Sequence, residues 1–320
     1  MRLRFGQIGD GRYNSGLIRH LNRREFLTGA AISAAAPTSA APAPQIIDTH
    51  IHLYDPTRPQ GVPWPSKTDP LLYRPMLPAA YAGMVRPLGV TGAIVVEASP
   101  WVEDNQWVLD LAKQHSVIVG LVGHLEPGTP EFRTNVARFA KNSQFLGIRL
   151  NGNAIAAGIS HPPFLDDLQR LADAGLMLDA IGNAAMIAAL TALKAKVPAL
   201  RIAIDHMPGE PSGWQNSRAA LLDLAKLPHV YCKVSGVLKS LDGKVSGDLR
   251  DYRTALDEIW KMFGPDRVMY GSNWPVSDRL APYGTVLGVV REYVAGLGGN
   301  VADQFFRTNS KACYRWTALT

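Results

Sequence analysis

Cysteine is scarce in this sequence of 320 residues, which contains only Cys232 and Cys313. Two thiols cannot form the set of disulfides that holds small secreted scaffolds together, so we interpret both as buried free thiols. Long apolar runs are also missing, because none reaches the roughly 20 residues that a membrane-spanning helix needs. With 47% hydrophobic residues, the chain is instead expected to fold around the large core of a globular domain.

The sequence also lacks the common nucleotide-binding and nucleophile motifs. No Gly-x-Gly-x-x-Gly fingerprint follows the first apolar run, and the glycines of residues 296–299 follow a helical pattern, where they indicate a turn. No Walker loop and no Gly-x-Ser-x-Gly elbow occurs. A dinucleotide site, a P-loop and a serine-hydrolase elbow are therefore unsupported.

Positive charge is concentrated at the start of the chain. The whole sequence carries a formal charge of +6, and residues 1–40 contain six arginines and two acids, a net of +4. Only +2 is left for residues 41–320, which contain no basic run. Because nucleic-acid binding needs a basic patch, we expect no nucleic-acid partner for the body of the protein.

The arginine-rich start has the order of an export signal. Arg23 and Arg24 precede a mild apolar stretch at residues 26–36, and small residues follow at 38–43. The paired arginines followed by Phe-Leu resemble a twin-arginine signal, and the alternative is a disordered basic tail. We interpret residues 1–43 as a signal with a short linker, cut after Ala40 or Ala43. This predicts a periplasmic protein, with the twin-arginine export machinery as a partner and no membrane association after cleavage.

The rest of the chain alternates between short apolar runs and helical patterns. Leu256, Ile259, Trp260 and Phe263, for example, form one apolar stripe at helical spacing. Eight nearly continuous apolar runs are predicted as buried parallel strands: 46–53, 92–98, 117–125, 146–150, 176–181, 201–206, 230–234 and 267–270. Eight such units predict a single TIM (β/α)8 barrel over residues 44–320, with a doubly wound open sheet as the alternative.

A proline-rich segment at residues 56–78 interrupts this alternation after the first predicted strand. Loops that follow the strands of a barrel lie at the end where ligands bind. The segment is therefore expected either to form a partial lid or to act as a structural clamp across the rim. Four aromatic residues could form a wall for a ring or simply pack in the core: Trp64, Tyr73, Trp101 and Trp274.

Polar side chains gather at the predicted strand ends, where a barrel places its chemistry. They are Asp48, His50, His52, Glu97, His124, Glu126, Arg149, Asn151, Asp205, His206, Lys233, Ser235, Ser272 and Asn273. Side chains alternate along a strand, so Asp48, His50 and His52 are expected to point the same way, with the two histidines about 7 Å apart. That spacing suits two nitrogens that converge on one metal ion or on one substrate oxygen.

The motifs at these positions resemble the amidohydrolase superfamily, and most of all its lactonase branch. Six of them occur in order over about residues 45–316: Asp48-Thr49-His50-Ile51-His52, Gly147-Ile148-Arg149, Asp205-His206-Met207-Pro208, Lys233-Val234-Ser235-Gly236, 270–276 and 309–314. The resemblance implies a barrel of the metal-dependent hydrolase type that acts on lactones, which are usually carboxylated or sugar-derived.

The resemblance also implies roles for individual residues. His50, His52 and His206 would polarise the carbonyl group, directly or through a divalent ion such as zinc that they bind. Arg149 would hold a substrate carboxylate or oxygen, which the planar guanidinium group can bind bidentately. Lys233 and Ser235 would donate hydrogen bonds, although an ion pair inside the barrel is the alternative for Lys233. Three further side chains are predicted to contact the substrate: Tyr73, Glu97 and Trp274.

Asn273 departs from the family pattern, which has an aspartate that activates water at the end of the eighth strand. An amide cannot act as a general base near neutral pH, and it is a poorer metal ligand than a carboxylate. Three explanations are open. Another group carries the base role, the candidates being His206, His50, His52, Glu97, Glu126 and Asp278; the reaction needs no strong base; or the protein binds a ligand without turnover. The expected function is hydrolysis of a lactone or related ester, with a lapsed periplasmic binding barrel and a metal-dependent decarboxylase as alternatives.

Overall fold

Parallel strands follow one another around a barrel in the order of the chain. The computed structural model describes residues 45–207 and 217–317, so the predicted export signal lies outside the described residues. Eight parallel strands occur in these ranges: β1 Ile46–Ile51, β2 Val90–Val96, β3 Ile118–Gly123, β4 Phe145–Asn151, β5 Met177–Ile181, β6 Arg201–Ile204, β7 Val230–Val234 and β8 Val268–Tyr270. Each overlaps one of the predicted runs, so the predicted TIM barrel is confirmed.

The barrel closes between its last and first strands. The hydroxyl of Thr49 donates a hydrogen bond of 2.6 Å to the carbonyl oxygen of Tyr270. Just above, Ile51 and Trp274 form a parallel bridge, and the backbone amide of His52 donates to the carbonyl oxygen of Trp274 at 2.8 Å. The segment that follows β8 therefore continues the barrel wall beside the two histidines of β1.

Helices lie between the strands and cover the outside of the barrel. They are α1 Pro78–Val85, α2 Val102–Gln114, α3 Phe132–Phe139, α4 Gly152–Gly158, α5 Pro162–Asp173, α6 Ala184–Lys196, α7 Arg218–Lys226, α8 Arg253–Phe263, α9 Tyr283–Ala295, α10 Val301–Asp303 and α11 Asn309–Tyr314. None of the described helices is long and apolar enough to cross a membrane.

Each strand contributes one or two residues to an apolar layer inside the barrel. These residues are Ile47, Ile94, Val96, Val119, Val122, Leu146, Met177, Ala203, Tyr231 and Met269. Cys313, Tyr314 and Trp316, from the end of the described chain, pack into the same layer. The side chain of Arg201, the first residue of β6, donates to the carbonyl oxygen of Cys313 at 2.6 Å. The C-terminal segment therefore closes the bottom of the barrel, at the end opposite to the carboxyl ends of the strands. Both cysteines are buried and free, as predicted.

Strand β1 contains a bulge that changes which residues face inward. Asp48 pairs with Ala93 and Ile51 pairs with Val95, so three steps along β1 match two steps along β2. The prediction that Asp48 points the same way as the two histidines is therefore wrong. Its carboxylate accepts hydrogen bonds of 2.9 Å from the hydroxyls of Tyr81 in α1 and Tyr283 in α9, in the outer layer.

The proline-rich segment forms a loop that is tied down on both sides. Its ends meet where Tyr54 and Met76 exchange backbone hydrogen bonds of 3.1 and 2.9 Å. Arg58 pairs with Asp104 of α2 at 2.9 Å, and Asp69 pairs with Arg279 in the segment after β8. These ion pairs join separate parts of the rim, as expected of a clamp, and they also hold the loop beside the mouth.

Candidate active site

Three histidines meet at the mouth of the barrel. The ring centroid of His50 lies 5.0 Å from that of His52 and 4.7 Å from that of His206. His206 follows β6 with a φ of 63°, a left-handed conformation that costs energy in a residue other than glycine. Ser235, at the end of β7, holds it by accepting from the backbone amide of His206 at 3.2 Å and contacting Nδ1 at 3.0 Å. The structure thus brings together the histidines that the sequence selects.

His52 presents a lone pair to the mouth. Its Nδ1 lies 3.0 Å from the carbonyl oxygen of Val96 on β2. A carbonyl oxygen can only accept, so Nδ1 carries the proton of the neutral ring and Nε2 is left as an acceptor. Burial, together with the charge of Arg149, lowers the pKa of His52 to about 3, which keeps the ring neutral at physiological pH.

His50 has the opposite tautomer. Its Nδ1 is hydrogen-bonded to Nζ of Lys233 at 3.3 Å, whereas the carboxylate oxygen of Asp205 that lies 3.4 Å from Nδ1 forms no hydrogen bond with a described residue. An ammonium group has donors only, so in the bond with Lys233 Nδ1 of His50 accepts and the proton of the neutral ring lies on Nε2. Burial lowers the pKa of His50 well below its ordinary value, so the ring stays neutral. Among the described residues, this buried Nε2 has no hydrogen-bond partner.

Beneath the histidines, Lys233 is the centre of a buried charge cluster. Its ammonium group pairs with Asp179 of β5 and lies 2.9 Å from a carboxylate oxygen of Asp205. The hydroxyl of Tyr314 donates to the other oxygen of Asp179 at 2.9 Å. The ammonium group of Lys233 is engaged by Asp179, Asp205 and His50, so Lys233 takes the ion-pair role and supports His50 from below instead of contacting a substrate.

Lys233 and Asp205 hold each other in their ionised forms. Burial alone would lower the pKa of Lys233, but the two carboxylates outweigh it and raise that pKa. Burial alone would raise the pKa of Asp205, but the charge of Lys233, to which that of Arg149 adds, holds it well below its ordinary value. For Asp179, burial dominates over the attraction of Lys233, so its pKa is raised. Lys233 and Asp205 therefore form the stable ion pair of the cluster.

Arg149 of β4 lies beside the histidines in a fixed orientation. Its Nε donates to a carboxylate oxygen of Glu97 at 2.9 Å, and one terminal nitrogen donates to the backbone oxygen of the same residue at 2.8 Å. The other terminal nitrogen is 3.9 Å from Asp205. The side chain of Arg149 keeps 13% of its surface exposed, enough to present part of the guanidinium group to a ligand.

Two cavities open at this end of the barrel. The first, which we call the mouth cavity, has a volume of about 320 Å³ and is lined by His52, Trp64, Glu97, Ala98, Ser99, Pro100, His124 and Arg149, so His52 is the one of the three histidines in this lining. The second, the side cavity, has a volume of about 590 Å³ and lies against helices α4 and α5. Glu97, His124 and Arg149 line both cavities, so these three residues form the boundary between them.

Asn273 lies next to the histidines through its backbone. Its φ of 62° is left-handed, a conformation that asparagine tolerates better than most residues. The backbone amide of Asn273 donates to the carbonyl oxygen of His50 at 2.9 Å, and its own carbonyl accepts from Ser277 at 3.0 Å. The half-buried amide side chain forms no hydrogen bond within residues 45–207 and 217–317.

Two predicted contact residues are not brought to the histidines. The ring of Trp274 is 4% exposed and packs against Tyr81, with centroids 5.2 Å apart, in the outer layer of the barrel. Its bridge partner on β1, Ile51, belongs to the same apolar cluster. Tyr73 is half-buried in the proline-rich loop and lines neither the mouth cavity nor the side cavity.

Two residues of the mouth were not among the predicted substrate contacts. Trp64 lies over the mouth with its ring centroid 5.8 Å from that of His52, so the proline-rich loop does act as a partial lid. His124 lines both cavities. Each had a signal in the sequence, an aromatic residue in the loop after β1 and a polar residue at a strand end, but neither signal specifies the direction of a side chain.

The donor set does not fit a divalent metal ion. Within the described ranges, no three histidine, cysteine, aspartate or glutamate side chains are arranged to hold one. The Nδ1 of His50 faces the Lys233 ammonium, a charge that repels a cation. Asn273 supplies no carboxylate from the eighth strand. The predicted set of His50, His52 and His206 therefore does not form a metal site in this arrangement.

Comparison with known proteins identifies the family and agrees with the fold. The sequence matches the amidohydrolase family over residues 47–316. It is 30% identical to an L-fucono-1,5-lactonase of Burkholderia ambifaria, over 73% of this chain and 81% of that protein. It is 28% identical to an L-fucono-1,5-lactonase of Burkholderia multivorans, over 77% and 88%. The crystal structure of an amidohydrolase from Burkholderia multivorans with bound zinc is 25% identical, with a TM-score of 0.76, and covers 85% of this chain and 100% of that one.

The contacts of His50 and His52 predict opposite tautomers that can be measured. In ¹⁵N-histidine-labelled protein at pH 7, long-range nitrogen–proton spectra should show the proton of His50 on Nε2 and that of His52 on Nδ1. Both rings should stay neutral at pH 5, because burial lowers both pKa values. Gln variants of the two histidines assign their signals among the eight in the sequence. A shared tautomer, or a doubly protonated ring at pH 6, would contradict the argument.

Proposed function

Because the chain belongs to the amidohydrolase family, we propose that it hydrolyses a sugar-derived lactone at the mouth of the barrel. The observation that carries this proposal is the convergence of three imidazoles, each with a pKa lowered by burial, beside the fixed guanidinium group of Arg149. Neutral donors and a cation suit a carbonyl oxygen that becomes negative during attack by water. The similarity to two L-fucono-1,5-lactonases supports a cyclic ester of a sugar acid as the substrate.

In the proposed reaction, His50 and His206 polarise the carbonyl group. The Nε2–H of His50 has no partner among the described residues, and a substrate oxygen would satisfy it. The hydroxyl of Ser235 already accepts from the amide of His206, so it can give its own proton to Nδ1 of that ring. This leaves Nε2–H of His206 as a second donor toward the carbonyl oxygen. Arg149 orients the ring substituents of the lactone.

The Nε2 atom of His52, which carries no proton, acts as the base in this reaction. Water attacks the carbonyl carbon and gives its proton to Nε2 of His52. The bond between that carbon and the ring oxygen breaks, and the ring oxygen takes the proton to leave an open hydroxy acid. With a pKa of about 3, His52 is a weak base. Most of the acceleration must then come from polarisation of the carbonyl, which suits a reactive ester such as a lactone and requires no carboxylate at position 273.

The role of His206 can be tested by substitution. Purified mature protein, dialysed against a chelator, is assayed with sugar lactones and with aromatic-derived dicarboxylate lactones, with and without added divalent metals. Sugar lactones should be hydrolysed without added metal, and His206→Asn should lower kcat about tenfold or more because one oxyanion donor is lost. His229→Asn is the matched control, since exposed His229 has a left-handed φ of 64° close to the 63° of His206. An unchanged rate in His206→Asn, or turnover only with metal, would refute this mechanism.

Asn273→Asp tests whether the site is adapted to an amide. Aspartate also tolerates the left-handed backbone, so the change adds a charge without new strain. A carboxylate next to His50 favours imidazolium and so raises the pKa of the nearby histidines. The parent should show a flat kcat/KM between pH 5 and 8, whereas Asn273→Asp should lose activity as the pH falls from 7 to 5. Asn300→Asp, at an exposed position, should behave like the parent.

The comparison of the parent with Asn273→Asp distinguishes an active enzyme from a binding barrel that has lost its catalytic activity. An inert parent that gains lactone hydrolysis in Asn273→Asp would identify a binding protein that has lost its base. If the parent is active and Asn273→Asp loses activity as the pH falls from 7 to 5, the reaction proceeds with an amide at this position.

We also propose that the protein works in the periplasm after export by the twin-arginine machinery. The support is the order of residues 22–43: paired arginines, an apolar stretch and small residues. In a bacterial host, peptide mass mapping of the periplasmic fraction should place the new N-terminus after Ala40 or Ala43. A double Arg23→Lys, Arg24→Lys variant should stay uncut in the cytoplasm, whereas Arg2→Lys, Arg4→Lys should be exported. Periplasmic protein with an intact Met1 would refute the proposal.

A further inference from the structure

The side cavity has no role in the proposed hydrolysis, although it is the larger of the two cavities defined above. Its volume of about 590 Å³ lies within the range of about 300–1,000 Å³ that is typical of small-molecule sites. It is reached from the mouth cavity across Arg149, Glu97 and His124, which line both. A ligand with its lactone ring at the histidines can therefore extend into the side cavity without leaving the protein surface.

Helices α4 and α5 give the side cavity an apolar part. Seven hydrocarbon side chains line the cavity: Pro127, Leu150, Ala154, Ala157, Pro163, Phe164 and Ile181. The polar side chains of Glu126, Thr129, Asn151 and His161 line it as well, and the amide of Asn151 already accepts from the backbone of Ala154 at 2.8 Å as the N-cap of α4. A sugar ring with a hydroxyl on each carbon gains little from the hydrocarbon side chains, whereas an aromatic or alkyl group gains from every apolar surface removed from water.

His124 marks the passage between the two cavities with an unused polar atom. Asn105 of α2 fixes its backbone by accepting from the amide of His124 and donating to its carbonyl oxygen, both at 2.9 Å. The Nε2 atom of His124 is buried and has no hydrogen-bond partner among the described residues, with the closest carboxylate oxygen of Glu126 3.9 Å away. A buried polar atom in a passage suits a ligand oxygen, such as one that joins a sugar ring to a substituent.

We propose that the natural substrate is a sugar lactone that carries an apolar substituent, and that the side cavity binds this substituent. The inference rests on the proposed lactone hydrolysis for the placement of the ring. The lactone carbonyl faces the histidines, the ring lies beside Arg149, and Nε2 of His124 contacts the linking oxygen. The aromatic or alkyl group then packs against Phe164 of α5 and the alanines of α4.

The test compares D-glucono-1,5-lactone with its benzyl ethers at O3, O4 and O6. At least one ether should have a kcat/KM about tenfold or more above that of the parent lactone, since even a single methylene in an apolar pocket changes binding by about that factor. Ala157→Phe places a ring in the apolar part of the side cavity and should remove this preference. Ala156→Phe is the matched control, because Ala156 is the neighbouring exposed alanine of α4 and does not line the cavity.

A binding measurement separates failure of the cavity from failure of the reaction. Calorimetric titration with the corresponding benzyl ethers of D-gluconate, the open hydroxy acids, needs no turnover. At least one should bind to the parent and to Ala156→Phe, with about tenfold weaker binding to Ala157→Phe and a smaller loss in His124→Leu. Absence of lactone turnover with this binding pattern would count against the proposed hydrolysis alone. No binding of any ether, or equal binding to Ala156→Phe and Ala157→Phe, would overturn the side-cavity proposal.

Discussion

The buried ammonium group of Lys233 is the interaction on which the mouth of this barrel depends. Removing this charge would leave Asp179 and Asp205 together in the protein interior, where unpaired carboxylates are costly. The same ammonium faces Nδ1 of His50 and so fixes the tautomer of that ring. One side chain therefore connects β5, β6, β7 and β1, and it also sets which nitrogen His50 offers to the mouth.

The outer layer complements this cluster from the other side of the barrel wall. The bulge in β1 turns the carboxylate of Asp48 outward, where Tyr81 and Tyr283 donate to it and the backbone amides of His50 and Ser272 donate at 3.1 and 2.8 Å. A carboxylate with four donors is well satisfied even though burial raises its pKa. The backbone that carries His50 is thus anchored to two helices as well as to the strand that closes the barrel.

The sequence predicts the parts of this structure that depend on periodicity. Runs of apolar residues locate the eight strands, and polar residues at their ends select His50, His52, His206 and Arg149. The direction of a side chain cannot be predicted from periodicity alone, because one extra residue in β1 places Asp48 on the opposite side of the strand from the one expected. Lys233 lies near the end of β7 and Trp274 lies just after β8. Packing places Lys233 beneath the histidines and Trp274 in the outer layer, and no local sequence pattern specifies either position.

The charge of the site explains how an amide at position 273 is tolerated. With neutral imidazoles, the permanent charges beside the mouth are the paired ones of Arg149 with Glu97 and of Lys233 with Asp205. A carboxylate at the end of the eighth strand would favour imidazolium in its neighbours, and His52 would lose its acceptor. With Asn273, the three rings remain neutral and keep both donors and an acceptor. In the reaction we propose, these unprotonated histidines therefore provide the base next to a polarised carbonyl without a carboxylate at position 273.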